Sequence, residues 1–436
     1  MTAVGSDIHC DLLVIGTGMA GMAAALFAAQ RGIDTVQVGM TGEINFASGL
    51  LDLLGVHPVG SSRTWPNPWD GIARLIRAHP RHPYALIGAE SIRASMDIFV
   101  AFLNEAGMPY IRHPEKNVQV ITPLGTVKTT YALPETMAAG APALKVGTPC
   151  LLADFPGLKG FSARQIKNTL QERWPAMQTV RLPFPGLRGE LQTERMARRL
   201  ETPQAREQLG KSIRQNLGGA RVVGLPAVLG VSRTREVWTD MCETVGVPIF
   251  EIPTMLPGIT GVRLRECFER NLPRLGIRAR YQQKILPAPR LSGGAFIAPV
   301  GGETVEAQIR AQAVILASGR FFGQGLHADR HAIRETIFNL PVYQPAARVN
   351  WHRKTLFNDR GHPIHRAGLA VDSRMRPCDE QGRYIYPNLF AAGSILAHQD
   401  WIRQKCGSGL AIASAYAAVR AACRSVQSQT PSTQEA

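Results

Sequence analysis

The residues best placed to do chemistry are three glycines near the start, in Gly16-Thr17-Gly18-Met19-Ala20-Gly21. They follow an apolar run, Asp11-Leu-Leu-Val-Ile15, and lead into Met22-Ala-Ala-Ala-Leu26-Phe-Ala-Ala-Gln30. A short buried strand, a glycine turn and an alanine-rich helix come in the order a nucleotide phosphate site requires. Gly16 permits the tight turn, Gly18 leaves room for a phosphate beside the backbone, and Gly21 lets helix and strand approach. The helix N-terminus adds unpaired N–H groups and a partial positive charge.

What is missing nearby is equally informative. About 20 residues after the first glycine, dinucleotide folds place an acid on the adenosine ribose. Here the second strand reads Thr35-Val-Gln37-Val38 and runs into Gly39-Met-Thr41, with Asp34 before it and Glu43 beyond it. The strand end carries no carboxylate, and an acid at position 39 is what would restore the grip. The expectation is a firm hold on phosphate and a weak hold on adenosine, which counts against a standard NAD site.

Further side chains have chemical reach. Arg263 suits a phosphate, because its planar fork binds two oxygens at once. His82, in His82-Pro83-Tyr84, can take a hydroxyl proton as hydride leaves. His362 and His365 have a spacing that also suits a metal, yet no neighbouring acid or cysteine in the sequence completes a set. The seven cysteines form no CxxC, so the chain carries no iron–sulfur or zinc box, and reduced thiols are expected.

The elements that must position these groups are scattered. With 436 residues the chain has room for two or three domains. Residues 1–70 read as the first part of a nucleotide-binding α/β domain, closed by a Pro/Trp-rich stretch. Residues 71–253 change rhythm, with helical pieces at Ile92–Ala106 and Glu190–Leu217, and read as an inserted α+β cap or substrate domain. The first fold returns over 254–325, with an amphipathic helix after Gly261, a hairpin at Ser292-Gly-Gly294 and a buried strand ending at Ser318-Gly319. A smaller insertion covers 326–365, the last part of the domain 366–424, and a disordered tail 425–436. No run reaches the ~18 apolar residues of a membrane helix, and the N-terminus has no signal-peptide pattern. The formal net charge of +16 is spread along the chain, without the interleaved aromatics of a nucleic-acid site. It fits an anionic substrate, an acidic partner subunit, an anionic membrane surface or a solvated basic surface.

Together, Asn45-Phe46-Ala-Ser48-Gly49-Leu-Leu51-Asp52, His82-Pro83-Tyr84, Thr122-Pro123-Leu-Gly125-Thr126, Leu316-Ala-Ser318-Gly319-Arg-Phe-Phe322 and Gln404-Lys-Cys406-Gly407-Ser-Gly409 resemble the B subunits of the anaerobic glycerol-3-phosphate dehydrogenases. These are flavoproteins related to the fumarate reductase class. The likeness covers nearly the whole chain, with the middle helices least alike. It implies a Rossmann-like flavin domain, discontinuous in sequence, in a three-part enzyme. That enzyme oxidises sn-glycerol 3-phosphate to dihydroxyacetone phosphate and passes electrons to the quinone pool. The resemblance further implies FMN in this chain (FAD as alternative) and two partners. One is an FAD-bearing catalytic subunit; the other is an iron–sulfur subunit that tethers the pair to the cytoplasmic face of the inner membrane.

By the same resemblance, Ser48-Gly49 lies along the flavin ring, Ser318-Gly319 packs over the phosphate loop, and Gly407 and Gly409 open a helix facing the ring's pyrimidine. Gly393-Ser394 stands where flavoproteins generally have Gly-Asp, so a charge-assisted bond to the ribityl chain is lost. Two other readings compete: a free-standing FAD oxidoreductase of fumarate reductase type, and a non-catalytic electron-transfer or scaffold subunit.

Overall fold

The computed structural model describes residues 7–40, 43–61 and 63–429. The chain divides into two compact units: residues 1–43, 53–99 and 268–436 form the first, and residues 44–52 and 100–267 the second. The second unit shares residues 100–253 with the insertion expected from sequence, whereas residues 71–99 fall in the first.

The first unit is built on one sheet. Its parallel part runs, in order, Arg278–Tyr281, Thr35–Gly39, Ile8–Ile15 and Ala307–Leu316, with the short strand Leu389–Ala391 on the far side of the last. Ile15 pairs with Leu316 and with Val38, and Leu316 pairs with Ala391, so these strands end in register. An antiparallel edge completes the sheet, including the expected hairpin of Arg290–Ser292 with Ala295–Gly301. Strands buried on both faces read as unbroken apolar runs. The first strand does so through Leu12, Leu13, Val14 and Ile15, all at most 4% exposed.

Helix Met19–Ala29 covers this sheet and buries nearly every residue, which is why its sequence is apolar all round rather than amphipathic. Its neighbour is the long helix Gly407–Gln429, joined through the edge-on pair Phe27 and Tyr416 with centroids 5.2 Å apart. That helix runs through 425–429, where the sequence predicts a tail; residues 430–436 lie outside the described ones.

The second unit has its own parallel sheet, in the order Ile249–Ile252, Val222–Pro226, Cys150–Asp154, Met177–Arg181. Helices Ala163–Leu170, Thr193–Leu200, Pro203–Gln215 and Thr234–Val245 come between successive strands, which is the βαβ arrangement of a buried parallel sheet. The single helix expected over Glu190–Leu217 is two, broken at Thr202-Pro203, because proline there begins a new helix rather than continuing one. Trp174 stacks near Phe250 in the core, and a side chain at Gly140 or Gly224 would meet the Phe250 ring at 2.6–2.7 Å.

Candidate functional site

Strands that end in register deliver their following turns to one edge of a sheet, and open α/β sheets bind ligands at that edge. In the first unit the edge gathers Gly16–Gly18 after the first strand, Ser318–Gly319 after Ala307–Leu316, and Gly393–Ser394 after Leu389–Ala391. Three segments far apart in sequence therefore meet because their strands are neighbours.

The glycines of the phosphate turn divide into two kinds. A side chain at Gly16, which has φ +126°, would strike the Ala317 carbonyl, and one at Gly21 would strike the carbonyl of Gly16. Those two are needed for the turn to exist. Gly18 has ordinary extended geometry, and the nearest atoms to a side chain there belong to Glu43, 3.5 Å away. Its lack of a side chain serves space rather than folding. The helix it caps has no side-chain cap and no acid in its first turn, so its leading N–H groups are open to an anion. Gln37, fully buried, braces the turn by donating from Nε2 to the Gly16 carbonyl at 3.0 Å.

The end of the second strand packs closely on the phosphate turn. Gly39 ends the second strand, and a side chain there would lie 2.8–2.9 Å from the Thr17 side chain and backbone. Thr17 in turn donates its hydroxyl to the Met40 carbonyl. An acid at position 39 would have no room, which corrects the expectation that one could simply be restored. Asp34 is occupied elsewhere, paired with Arg278 at 2.7 Å.

Glu43 reaches the site from beyond the strand. Its oxygens lie 2.8–3.0 Å from where a Gly319 side chain would be and 2.8 Å from that of Gly323, and it accepts the Gly323 N–H. Burial holds its carboxyl above the usual range. The Ser318 hydroxyl, one residue before Gly319, is buried without a partner. Gly393, with φ +85°, donates its N–H to Ser414 Oγ at 2.8 Å and lets Ala20 approach, so it locks two helices to the sheet edge. Ser394 follows in a short 3-10 turn. Gly407 opens the long helix with Trp401 packed on it, and Gly409 is buried in its first turn.

A polar cluster adjoins these turns. Arg320 donates to the carbonyls of His365, Leu396 and Gln399, tying the turn after Gly319 to the segments on either side of Ser394. Burial lowers its pKa to about 10. Arg403 donates to His365 Nδ1 at 2.7 Å and lies 3.5 Å from Asp400, which is 3.4 Å from the same imidazole nitrogen. The acid absent from the sequence neighbourhood of His365 thus arrives from 35 residues further on. Sequence reasoning missed Glu43, Asp400, Arg403 and Gln37; the run Asp400–Arg403 just before Gly407 was the available signal. Among the described residues no three His, Cys, Asp or Glu groups form a metal site.

The two side chains expected to do catalysis are spent on structure. His82 is fully buried, caps the short helix Pro83–Ile87 by accepting the Tyr84 N–H at 3.1 Å, and sits 3.4 Å from Gln404 Oε1. Burial drives its pKa down to about 3, so it is a neutral cap and a poor base. In the second unit, Arg263 makes a two-pronged pair with Glu251, at 2.6 and 2.9 Å, and gives Nε–H to the Gly230 carbonyl. Its charge is paired and its side chain is only 4% exposed, so it is not presented to a phosphate in solution. The same unit holds Ser48 and Gly49 firmly. The Gly49 carbonyl accepts Tyr110 Oη at 2.7 Å, the Ala47 carbonyl accepts Thr260 Oγ1 at 2.9 Å, and Leu51 bridges to Ala132.

Comparison with known proteins places this arrangement. The FAD binding domain family matches residues 11–410. A probable anaerobic glycerol-3-phosphate dehydrogenase B subunit of Halobacterium salinarum is 31% identical, over 97% of this chain and 100% of its own length. The chain belongs to this family. The anaerobic glycerol-3-phosphate dehydrogenase B subunit of Vibrio cholerae is 29% identical, over 94% of this chain and 96% of that protein. A flavocytochrome c3 fumarate reductase structure in its open conformation aligns over 97% of this chain and 80% of its own, with 10% identity and a TM-score of 0.42. Flavin is the cofactor class of the family, and its relatives are named as one subunit of a larger enzyme. Two features are compatible with the phosphate of a flavin: the helix start after Gly18 has no side-chain cap and no acid in its own first turn, and the Ser318 hydroxyl is buried without a partner. No helix among the described residues is long and apolar enough to cross a membrane.

Proposed function

We propose that the chain is the flavin-bearing B subunit of an anaerobic glycerol-3-phosphate dehydrogenase, working with an FAD-bearing catalytic partner and an iron–sulfur, membrane-anchoring partner. Its reaction is the oxidation of sn-glycerol 3-phosphate to dihydroxyacetone phosphate, with electrons leaving toward quinone. The observation that carries this is the register of three strand ends, which brings the phosphate turn and two small-residue turns to one edge in a chain related to such B subunits over nearly its full length.

A bound flavin would supply two-electron redox chemistry at its ring. The chain's part is to hold and orient. The N–H groups at the start of Met19–Ala29 take the phosphate, Gly18 leaves it room, and the start of Gly407–Gln429 places a positive dipole end toward negative charge. Neither His82 nor Arg263 has a catalytic part in this reading.

FMN is the proposed flavin, supported by the closed contact of Gly39 on Thr17. FAD is the second reading, favoured by the description of the family that matches. The test is to purify the chain, release its chromophore and identify it by mass. The chain is then combined with both partner proteins and assayed for glycerol-3-phosphate-dependent reduction of a quinone. A colourless chain with no contribution to that activity would overturn the proposal.

A further inference from the structure

Between Trp351 and His362 the first unit sends out a loop that is fastened at its base and bare at its tip. Trp351 is 3% exposed and packs in the core of that unit, and its carbonyl accepts the Ile364 N–H at 3.1 Å. The His362 ring holds the two arms together: Nδ1 accepts the Arg353 N–H at 3.0 Å, and Nε2 donates to the Leu356 carbonyl at 2.8 Å. Just beyond Phe357 the chain turns back at Asn358, whose side chain accepts the Arg360 N–H and whose carbonyl accepts the Gly361 N–H. The residues entering that turn are Leu356, 73% exposed, and Phe357, 88% exposed. Two large apolar side chains are thus held out into solvent by a fixed base, forgoing the burial that would stabilise them.

The charge around them has one sign. Residues 348–360 carry Arg348, Arg353, Lys354 and Arg360 against the single acid Asp359. Among the described residues no carboxylate pairs with any of those four cations. Arg348 donates to the Asp329 carbonyl and lies over the Trp351 ring, and Arg353 donates to the Gly361 carbonyl, contacts that leave their charge uncompensated. Apolar side chains projecting among unpaired cations match the interface of an anionic bilayer, where phosphates take the cations and the acyl boundary takes the apolar groups. A protein partner would need a cavity shaped to Phe357, whereas a lipid interface accepts a projecting ring without one.

We infer that the loop at residues 348–360 touches an anionic phospholipid surface directly, with Leu356 and Phe357 entering the headgroup layer and Lys354 and Arg360 meeting lipid phosphates. This contact is the chain's own, separate from anchoring by a partner, and it does not depend on the flavin reading. Two apolar side chains are too few to hold a protein on a membrane alone, so the contact is reversible and needs the charge.

The test sediments the full-length chain with vesicles of phosphatidylcholine alone and of equal parts phosphatidylcholine and phosphatidylglycerol. The unmodified chain should bind the anionic vesicles, leave the neutral ones, and be released by high salt. Leu356→Ser/Phe357→Ser should weaken binding by about tenfold. Lys354→Glu/Arg360→Glu should weaken it by about thirtyfold or more, at roughly fivefold for each cation lost. Lys145→Glu/Arg164→Glu makes the same change in net charge on exposed residues of the second unit, and should have little effect. Thermal melts check that the variants are folded. Phe357→Trp gives a reading that needs no loss of binding: its added fluorescence should shift to the blue on anionic vesicles. Equal weakening by the control pair would overturn the inference, since overall basicity would then account for binding. Absence of binding to anionic vesicles, equal binding to both vesicle types, or no blue shift from Phe357→Trp would overturn it too. Full vesicle binding by the loop variants, with loss of co-purifying partner proteins, would make the loop a protein contact and overturn the lipid assignment.

Discussion

Arg263 and Glu251 face each other in a buried, two-pronged ion pair, with both side chains at most 4% exposed. Glu251 also accepts from Thr136 Oγ1 at 2.7 Å and from the Leu229 N–H at 2.8 Å, so both carboxylate oxygens are engaged twice. The pair links helix Ile259–Asn271 to strand Ile249–Ile252 and to the loop after Val222–Pro226.

Breaking one side of such a pair leaves an uncompensated buried charge. Arg263→Ala should therefore cost roughly 3–5 kcal/mol of stability, and Arg263→Lys, which cannot reproduce the fork, should also destabilise. Burial alone would raise the carboxyl pKa of Glu251; Arg263, Thr136 and Leu229 more than offset this and bring it below the usual range. A depressed acid contributes stability that is present above its ordinary pKa and is lost as pH falls through the native value. Urea titrations at pH 7 and pH 3.5 read both effects. An Arg263→Ala protein as stable as the parent would show that the pair has no structural role.

His82 is tested by its pH dependence. An imidazole whose native pKa is lowered to about 3 must stay neutral for the fold to hold. Its stabilising share is complete above the ordinary pKa near 6.5 and declines as pH falls toward 3. His82→Asn keeps a capping side chain and removes the titration, so its stability should fall less than the parent's between pH 6.5 and 4. His82→Ala loses the cap and should cost about 1 kcal/mol or more. Neither variant should change the shape of the pH–rate profile of the assembled enzyme. A lost kinetic limb in His82→Asn would restore His82 as a proton carrier.

Glu43 makes an opposite prediction. Its native carboxyl is raised by burial, and the groups packed around it, Gly18, Gly319 and Gly323, carry no charge. The native state then holds its proton more tightly than the unfolded state, so stability declines as pH rises above the ordinary carboxyl range. Glu43→Gln should melt at a higher temperature than the parent at pH 7.5, and the difference should shrink at pH 4. A constant difference across that range would mean that Glu43 does not titrate on unfolding.

Local chemistry made much of the first unit legible. The strand, turn and helix around Gly16–Gly21 lie within one stretch, and their apolar runs and glycines give period and punctuation directly. The parallel sheet of the second unit was hidden because Cys150–Asp154, Val222–Pro226 and Ile249–Ile252 are four- and five-residue buried runs, too short to separate from helix by pattern. The site was half legible. Glycines marked the turn proposed for a phosphate, but the acids near it come from afar: Glu43 from past the strand that lacked a carboxylate, and Asp400 from 35 residues beyond His365. Arg263 and His82 look chemically available in sequence, and only the structure shows one paired with Glu251 and the other buried as a helix cap.

The chain should need partners for electron delivery. No disulfide joins its seven cysteines, and among the described residues they form no clustered set for an iron–sulfur relay. Expressed alone, it should show little glycerol-3-phosphate:quinone activity, and any attachment to membranes should be released by salt, because charge attraction is screened. Addition of the partner proteins should restore turnover. Robust quinone reduction by the isolated chain would refute this.

The three glycines of the phosphate turn should respond differently to substitution, and that difference separates folding from binding. A methyl group at Gly16 or Gly21 collides with backbone carbonyls inside the turn, at Ala317 and Gly16, and backbone cannot move aside cheaply. Gly16→Ala carries a further conformational cost, since φ +126° is a value that side chains rarely adopt. Both variants should lower the melting temperature sharply or fail to fold. Gly18 has φ −76° and ψ −175°, which any residue adopts, and a side chain there meets only Glu43 at 3.5 Å. Gly18→Val should thus keep the fold, within about 1 kcal/mol of the parent, while its methyl groups take the space beside the helix start that a phosphate needs. Flavin content after purification, set against the thermal melt of the same sample, gives the two readouts. The expected pattern is a folded, flavin-depleted Gly18→Val and an unstable Gly16→Ala. A Gly18→Val protein that keeps full flavin would place the phosphate elsewhere, and a Gly16→Ala protein as stable as the parent would show that the turn relaxes more easily than its packing implies.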